Sequence, residues 1–269
     1  QRLVRVRRGS RAAAMTRVVK IGGRAQGDAR LPGAIAAAHA SGTPLCVVHG
    51  GGDEVTTLQR ALGQEPRFVN GRRATTPEEL GVVRMVLSGT VNKRLATAFM
   101  DAGVPTAGVS GEDGDLLRCV PFDHGSLGAV GTPSHVNPAL LTALMDGGFV
   151  PVVSPLGRFA GDGAGCNVNG DDAAAAIAVA LGATELLLVA DVPGVLDDAG
   201  QSIARLGTAD ASALIASGVA RGGMIAKLEA ALRSLEHGVA RVRIGGIDAI
   251  ADLSLGTVIT AAPITSPAP

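Results

Sequence analysis

VVKIGGRAQGDAR, residues 18–30, opens as an apolar run and breaks at Lys20, Gly22 and Gly23. Read as a strand, it ends in Lys-x-Gly-Gly, which sets one fixed positive charge at the strand end beside a backbone bare enough for a ligand to come close. Two readings stand here: an anion site, or a solvated lysine ahead of an ordinary turn.

Outward from this stretch, runs of the same kind recur. TRVVKI (16–21), PLCVVH (44–49), PTAGVS (105–110), FVPVVS (149–154), ELLLVA (185–190) and ARVRIG (240–245) read as strands, mostly separated by helical segments. That alternation predicts an α/β fold with a parallel, helix-covered sheet. NPALLTALMDGG predicts a helix from Asn137 as cap and Pro138 at the first position, stopping at Gly147 and Gly148. From Met224 to His237, Ile225, Leu228, Leu232 and Leu235 share one helical face, with Gly238 as the stop. Residues 112–136 break into short pieces that read as hairpins over the sheet edge. AAAAIAVALGATELLLVA (173–190) nears the length of a membrane span, but Gly182 and Glu185 divide it into an alanine-rich helix and a buried parallel strand.

Composition narrows the function. The chain has 269 residues, 46% hydrophobic, enough for a sizeable core in one large domain or two lobes. Twenty-four basic residues against twenty-four acidic ones give no net charge, so neither nucleic acid nor a membrane is expected as a partner. Cys46, Cys119 and Cys166 lie far apart without a CxxC pair, which argues against zinc or disulfides and fits a reducing, cytoplasmic compartment. Residues 1–14 carry five arginines and no acid, and Met15 reads as the natural start; the leader, taken as non-native or disordered, is set aside.

Ligands of open α/β sheets sit outside the carboxyl ends of the strands, and Lys20 with Gly22 and Gly23, the glycines after CVVH and Asp191 after LLLVA all fall there. Gly50, Gly51 and Gly52 separate a strand from a helix starting near Asp53, so their N–H groups either face an anion or make a tight turn. His49 reads as a turn histidine rather than a metal ligand. In NVNGDD, Asn167 and Asn169 project to one side of an extended segment, and Asp171 or Asp172 caps the next helix, alone or with a second role. Lys227 falls in the first turn of its helix, where a cation opposes the dipole and a bound phosphate would relieve it. Two lysines at phosphate-sized sites point to phosphoryl transfer. Arg72 and Arg73 follow Asn70 and Gly71 in a turn, as a carboxylate fork or as solvated loop charges. GxxxxGK[ST], HRD, DFG and GxSxG are all missing, and no GxGxxG follows the first strand.

KIGG at 20, VHGGG at 48, NGRRAT at 70, GTVNKRL at 89, GFVPVVSPLG at 148, NVNGDDAA at 167, LLLVADVPGVL at 186 and GGMIAKLEAA at 222 together closely resemble acetylglutamate kinases of the amino-acid kinase family, from about Thr16 to Thr260. The resemblance implies a three-layer fold, an open, mainly parallel sheet between helix layers. Residues 15–180 would form an acceptor-binding lobe and 181–269 an ATP-binding lobe. It implies that Lys20 and Lys227 stabilise the transferring phosphoryl group and that Asp171 holds them. Gly51 and Gly52 would meet acceptor and phosphate, while Arg73 and Asn167 bind N-acetyl-L-glutamate, with Asn169 adjacent. Gly22, Gly23, Asp191, Val192, Pro193, Gly194, Val195, Leu196, Val219, Ala220 and Arg221 would line the ATP site.

The implied reaction turns ATP and N-acetyl-L-glutamate into ADP and the γ-acyl phosphate, the second step of arginine biosynthesis. A γ-carboxylate is already an anion at neutral pH, so no general base is needed. A magnesium ion would bridge the β- and γ-phosphates, held mainly by the nucleotide, with no protein metal site expected. Some features depart from the family. Only 28 residues separate Lys20 from His49, which predicts a trimmed first helix, and Asp172 stands where glutamine or asparagine is frequent. A start at Met15 would omit the N-terminal helix of arginine-inhibited hexamers, so a homodimer without arginine feedback is expected. The alternatives are a sister kinase acting on carrier-linked aminoadipate and a non-catalytic nucleotide-binding regulator on the same fold.

Overall fold

The structure, a computed structural model that describes residues 16–69 and 71–261, makes each of the six apolar runs a strand of one sheet. The leader, Met15 and Asn70 lie outside the described residues. The chain runs β1 (Arg17–Ile21), α1 (Leu31–Ala40), β2 (Leu45–His49), α2 (Gly52–Ala61), the short hairpin β3 (Phe68–Val69) and β4 (Arg72–Arg73), then α3 (Pro77–Arg84). A π-helical stretch, Met85–Val91, joins α3 to α4 (Asn92–Asp101). Next come β5 (Thr106–Ser110), β6 (Leu117–Pro121), β7 (Val130–Val136), α5 (Ala139–Asp146), β8 (Val150–Ser154), β9 (Leu156–Phe159), β10 (Gly165–Val168) and α6 (Gly170–Ala180). The chain continues through β11 (Glu185–Val189), β12 (Arg205–Gly207), α7 (Thr208–Ala216), α8 (Gly223–Glu236), β13 (Arg241–Gly245) and β14 (Thr257–Thr260).

The main sheet has the order β12-β14-β13-β11-β1-β2-β8-β5, parallel except where β14 meets β13. Side chains alternate faces along a strand, and here both faces are buried. Val18, Val48, Leu186, Leu188 and Ile244 pack under α6 and α8. Val19, Ile21, Val47, Leu187 and Val189 pack against α1, the α3–α4 helix and Ile247–Ile250. The result is three layers with β1 at the centre. The division expected at residues 180 and 181 falls between α6 and β11, and the sheet runs across it, with β1 hydrogen-bonded to β11. No helix among the described residues is long and apolar enough to cross a membrane.

One expectation needs correction. Residues 112–136 do supply the antiparallel pair β6 and β7, but the pair does not end as a hairpin at the sheet edge. It closes with β9 and β10 into a four-stranded barrel whose buried Leu117, Cys119, Cys166 and Val168 join the core under α6. Gly131 permits the closure: a Cβ there would lie 2.6 Å from Cys166 Sγ and 2.7 Å from Cys119 Cβ. The three cysteines are free and buried.

Helix ends follow the sequence closely. The Asn137 side chain accepts from Ala139 N–H at 3.2 Å ahead of α5, and α6, α8 and α5 are followed by left-handed Gly182, Gly238 and Gly148. The ten-residue α1 accords with the short crossover.

Candidate active site

Alternation along β1 sends Lys20 to the same face as Val18, under α6, whose first turn carries Asp171. Lys20 Nζ lies 2.9 Å from Asp171 Oδ1, and Lys227 Nζ, from α8, lies 3.3 Å from Oδ2. All three side chains are at most 13% exposed. Burial works against the Asp171 charge, but Lys20 and Lys227 outweigh it and hold the carboxyl below the usual carboxylate range. Burial, and then the charge of Lys20, push the Lys227 ammonium below the usual lysine range, against the pull of Asp171. Gly170 leaves room for this pair, since a Cβ there would lie 3.2 Å from Lys20 Cε. Because α8 starts at Gly223, Lys227 falls just past the first turn rather than within it.

Beside the lysines, the chain leaves β2 through Gly50 and Gly51 into α2. Gly51 has φ +145°, and a Cβ on it would lie 2.7 Å from Leu87 Cδ2, so only glycine fits. His49 is the buried last residue of β2, not part of the turn. Its Nδ1–H donates to Gly50 O at 2.7 Å, and Asn92 Nδ2 donates to its Nε2 at 3.1 Å. Burial pushes His49 down to about 4, so it is neutral near pH 7 and acts as a brace for the glycine turn.

Gly51, Gly52, Arg73, Asn167 and Asn169 all line one cavity of about 190 Å³. Gly71, at φ +75°, turns the β3–β4 hairpin that delivers Arg73. The Arg73 guanidinium donates to Gly52 O and Thr56 Oγ1, each at 2.7 Å, and to Gln59 Oε1, and it stacks 4.6 Å from the Phe68 ring centre. A fork held from several sides is already oriented at the cavity wall. Asn167 Nδ2 donates to Thr75 Oγ1 at 3.2 Å. Asn169, not either aspartate, caps α6: its Oδ1 accepts from Asp171 N–H at 2.9 Å and Asp172 N–H at 3.2 Å. Its extended backbone leaves it as the residue before the helix, which frees Asp171 for the lysines.

The remaining candidates spread along the carboxyl ends of the central strands. Gly22 approaches Val189 O, where a Cβ would stand at 3.4 Å. Asp191 and Pro193 are exposed, whereas Gly194 and Val195 are buried under Ser202 and Thr257, with Val195 N–H donating to Thr257 Oγ1 at 2.7 Å. Val192 and Leu196 are half-buried, and Leu196 bridges to Ser202. Gly23 is exposed and faces Asp53. Val219, Ala220 and Arg221 form the turn from α7 into α8, where Ala220 N–H donates to Leu214 O. The 191–196 and 219–221 stretches thus belong to separate hydrogen-bond networks, on loops leading from β11 and into α8.

Sequence reading missed Gln59, Thr56 and Thr75, which hold Arg73 and Asn167. It also missed the partners of Asp172, which are Arg72 and Arg233. The only signal for the latter was an acid whose charge had no visible counterpart.

The Amino acid kinase family model matches residues 15–246. The chain is 45% identical to an acetylglutamate kinase of Paracoccus denitrificans over 84% of this chain and 75% of the relative. It is 44% identical to one of Rubrobacter xylanophilus over 91% of this chain and 96% of the relative. Among solved structures, smu.665 of Streptococcus mutans superposes with a TM-score of 0.83 at 29% identity, covering 92% of this chain and 99% of that one. The carbamate kinase of Giardia, at 16% identity with a TM-score of 0.69 over 93% of this chain and 100% of that one, bears on the fold alone.

Proposed function

This chain belongs to the acetylglutamate kinases of the amino acid kinase family, and on that premise we propose how its residues divide the transfer of a phosphoryl group from ATP to the γ-carboxylate of N-acetyl-L-glutamate in arginine biosynthesis. The observation that carries the reading is the Lys20–Asp171–Lys227 set, next to a small cavity lined by glycine backbone and a preset arginine.

N-acetyl-L-glutamate occupies the cavity, its α-carboxylate on Arg73 and its amide within reach of Asn167 and Asn169. Its γ-carboxylate then faces the Gly51–Gly52 turn and Lys20. The acceptor needs no deprotonation, so the barrier is repulsion between two anions. Lys20 and Lys227 offset it with donors that Asp171 has already aimed, and buried, pre-aimed donors act with little reorganisation. The γ-phosphate lies between the two lysines, and the nucleotide extends over Gly22, Gly23, residues 191–196 and 219–221. Residues 15–180 then serve chiefly the acceptor and 181–269 the nucleotide. No three His, Cys, Asp or Glu side chains cluster as a metal cage among the described residues, and a magnesium ion carried by the nucleotide phosphates fits this donor set. It would supply further charge neutralisation. A homodimer is the assembly this reading expects, which light scattering tests.

Incubation with magnesium ATP and N-acetyl-L-glutamate, with hydroxylamine to trap the acyl phosphate, should yield ADP and hydroxamate in equal amounts. Free glutamate, N-acetylaminoadipate and N-succinylglutamate serve as competing acceptors. Trapped product with one of these in place of N-acetyl-L-glutamate would move the acceptor assignment, and ATP binding without turnover on any of them would overturn the catalytic one.

A further inference from the structure

Asp172 takes no part in the lysine pair, yet its carboxylate is held from two sides. Arg72 Nη1 donates to Oδ2 at 2.7 Å, and Arg233 Nη2 donates to Oδ1. The side chains are 19%, 10% and 45% exposed for Arg72, Asp172 and Arg233. They come from three elements, β4, α6 and α8, and each has a working neighbour. Arg72 adjoins Arg73, Asp172 adjoins Asp171, and Arg233 shares α8 with Lys227.

We propose that Asp172 is a positioning residue for the transfer: by accepting from Arg72 and Arg233 together, it fastens the acceptor hairpin to the helices carrying Asp171 and Lys227, so that acceptor cavity and lysine pair are set as one unit. Three observations support this. Both carboxylate oxygens are engaged, one by each arginine, so either element moving alone breaks a charge-assisted bond. Arg72 is also stacked, 4.4 Å from the Phe122 ring centre, which fixes its direction. Finally, Arg72, Asp172 and Arg233 border a second cavity of about 520 Å³, and while Arg73 ties the hairpin to α2 on its other side, the ion pairs are what links it directly to α6 and α8. The two arginines also offset the second negative charge that Asp172 sets beside Asp171.

The proposal rests on the acceptor reading above, and its test separates the two. Steady-state kinetics with magnesium ATP and N-acetyl-L-glutamate are measured on the full chain and on Arg72→Gln, Arg233→Gln, Asp172→Asn and the double variant Arg72→Gln/Asp172→Asn. Arg72→Gln should raise the acceptor KM about fivefold with kcat held within about twofold, and Arg233→Gln should do the reverse. Asp172→Asn should move both constants, and the double variant should be no worse than Asp172→Asn in acceptor KM, because both changes break the same contact. A fall in Tm for Asp172→Asn with kcat and KM within about twofold of the parent would reduce Asp172 to a structural residue and overturn the proposal. Should Asp172→Asn not fold, the two arginine variants, whose side chains lie partly at the surface, decide it through the same split. An inactive parent chain would sink the acceptor reading instead, whereas an active parent with unresponsive variants sinks the clamp alone.

Discussion

Two buried ion clusters stand at opposite ends of β1, built from the same kinds of charge. At the start of the strand, Glu185 accepts from Arg17 at 2.9 Å, Arg243 at 3.1 Å and Arg241 at 2.8 Å. Near its end, Asp171 meets Lys20 and Lys227. Both carboxyls are held below the usual range by their cations against the opposing effect of burial. The difference lies in what the cations do next. Arg243 also donates to the carbonyls of Asp252, Leu255 and Ala249, and Arg17 to that of Ile250, so planar forks staple strands to loops. The lysines both point at one carboxylate, and an ammonium carries three donors. Their spare capacity lies beside the glycine turn and the cavity. Buried charge alone therefore does not mark a site; the proposed site is distinguished by cations with donors left over.

The comparison breaks most sharply with one substitution at each end. Lys227→Ala should lower kcat about a hundred- to a thousandfold, the scale for losing one donor to developing charge, while the affinity for ATP, measured by calorimetry, changes far less. Equal losses would make Lys227 a binding group. Glu185→Gln should instead destabilise the fold by about 3–5 kcal/mol, because it leaves buried guanidinium groups uncompensated. The surviving folded enzyme should keep its kcat, as denaturant melts read alongside activity would reveal.

The sign of the pH dependence follows from the same shift. A carboxyl depressed in the folded state contributes stability that is present above its unfolded value and lost as pH falls through the folded one. Acid unfolding of the parent should therefore be steeper than that of Glu185→Gln. On the alkaline side, the role proposed for Lys227 requires its charge, and Lys227 titrates below the usual lysine range. kcat should accordingly fall at a pH below that of an ordinary lysine, and Asp171→Asn, which removes the group that raises Lys227, should move this limb lower still. A limb that stays in place in Asp171→Asn belongs to another residue.

Smaller effects sharpen the picture. Arg73→Ala should raise the acceptor KM about tenfold or more with a modest change in kcat, as expected for a ground-state carboxylate contact. Asn169→Ala should lower stability by about 1 kcal/mol through loss of the α6 cap, measured by thermal melts. An unchanged melt would mean that the Asp171 and Asp172 amides find another acceptor.

What was legible in the sequence follows the range of the interactions. Six of the eight strands of the main sheet announce themselves through apolar runs, all but the short β12 and β14, and α5, α6 and α8 through glycine stops, because these signals are local. Lys20 and the glycine turn could be picked out because parallel strands bring their carboxyl ends to one edge of the sheet, whereas the pairing of Asp171 with the lysines came only from the family resemblance. The closure of β6 and β7 with β9 and β10 was not legible, since it depends on pairings set by the whole fold and on Gly131 clearing two sulfur-bearing side chains. Nor were the partners of Asp172, which lie 100 and 61 positions away in sequence. The cap of α6 was misplaced by two or three residues, because Asn169 and the aspartates are all good caps and only the extended backbone of Asn169 decides among them.

The three thiols have a practical consequence. Cys46 sits in the main sheet, whereas Cys119 and Cys166 share the small barrel, and all are sealed from solvent. Burial pushes Cys46 up to about 12, so it stays unreactive until the core around it opens. Lacking tryptophan and tyrosine, the chain has little intrinsic fluorescence to report its own motions. Alkylation kinetics resolved by mass would replace that signal with two internal clocks, one for the sheet and one for the barrel. Separate rates would mean that the barrel breathes on its own, and a single shared rate that sheet and barrel, which share one core, yield together.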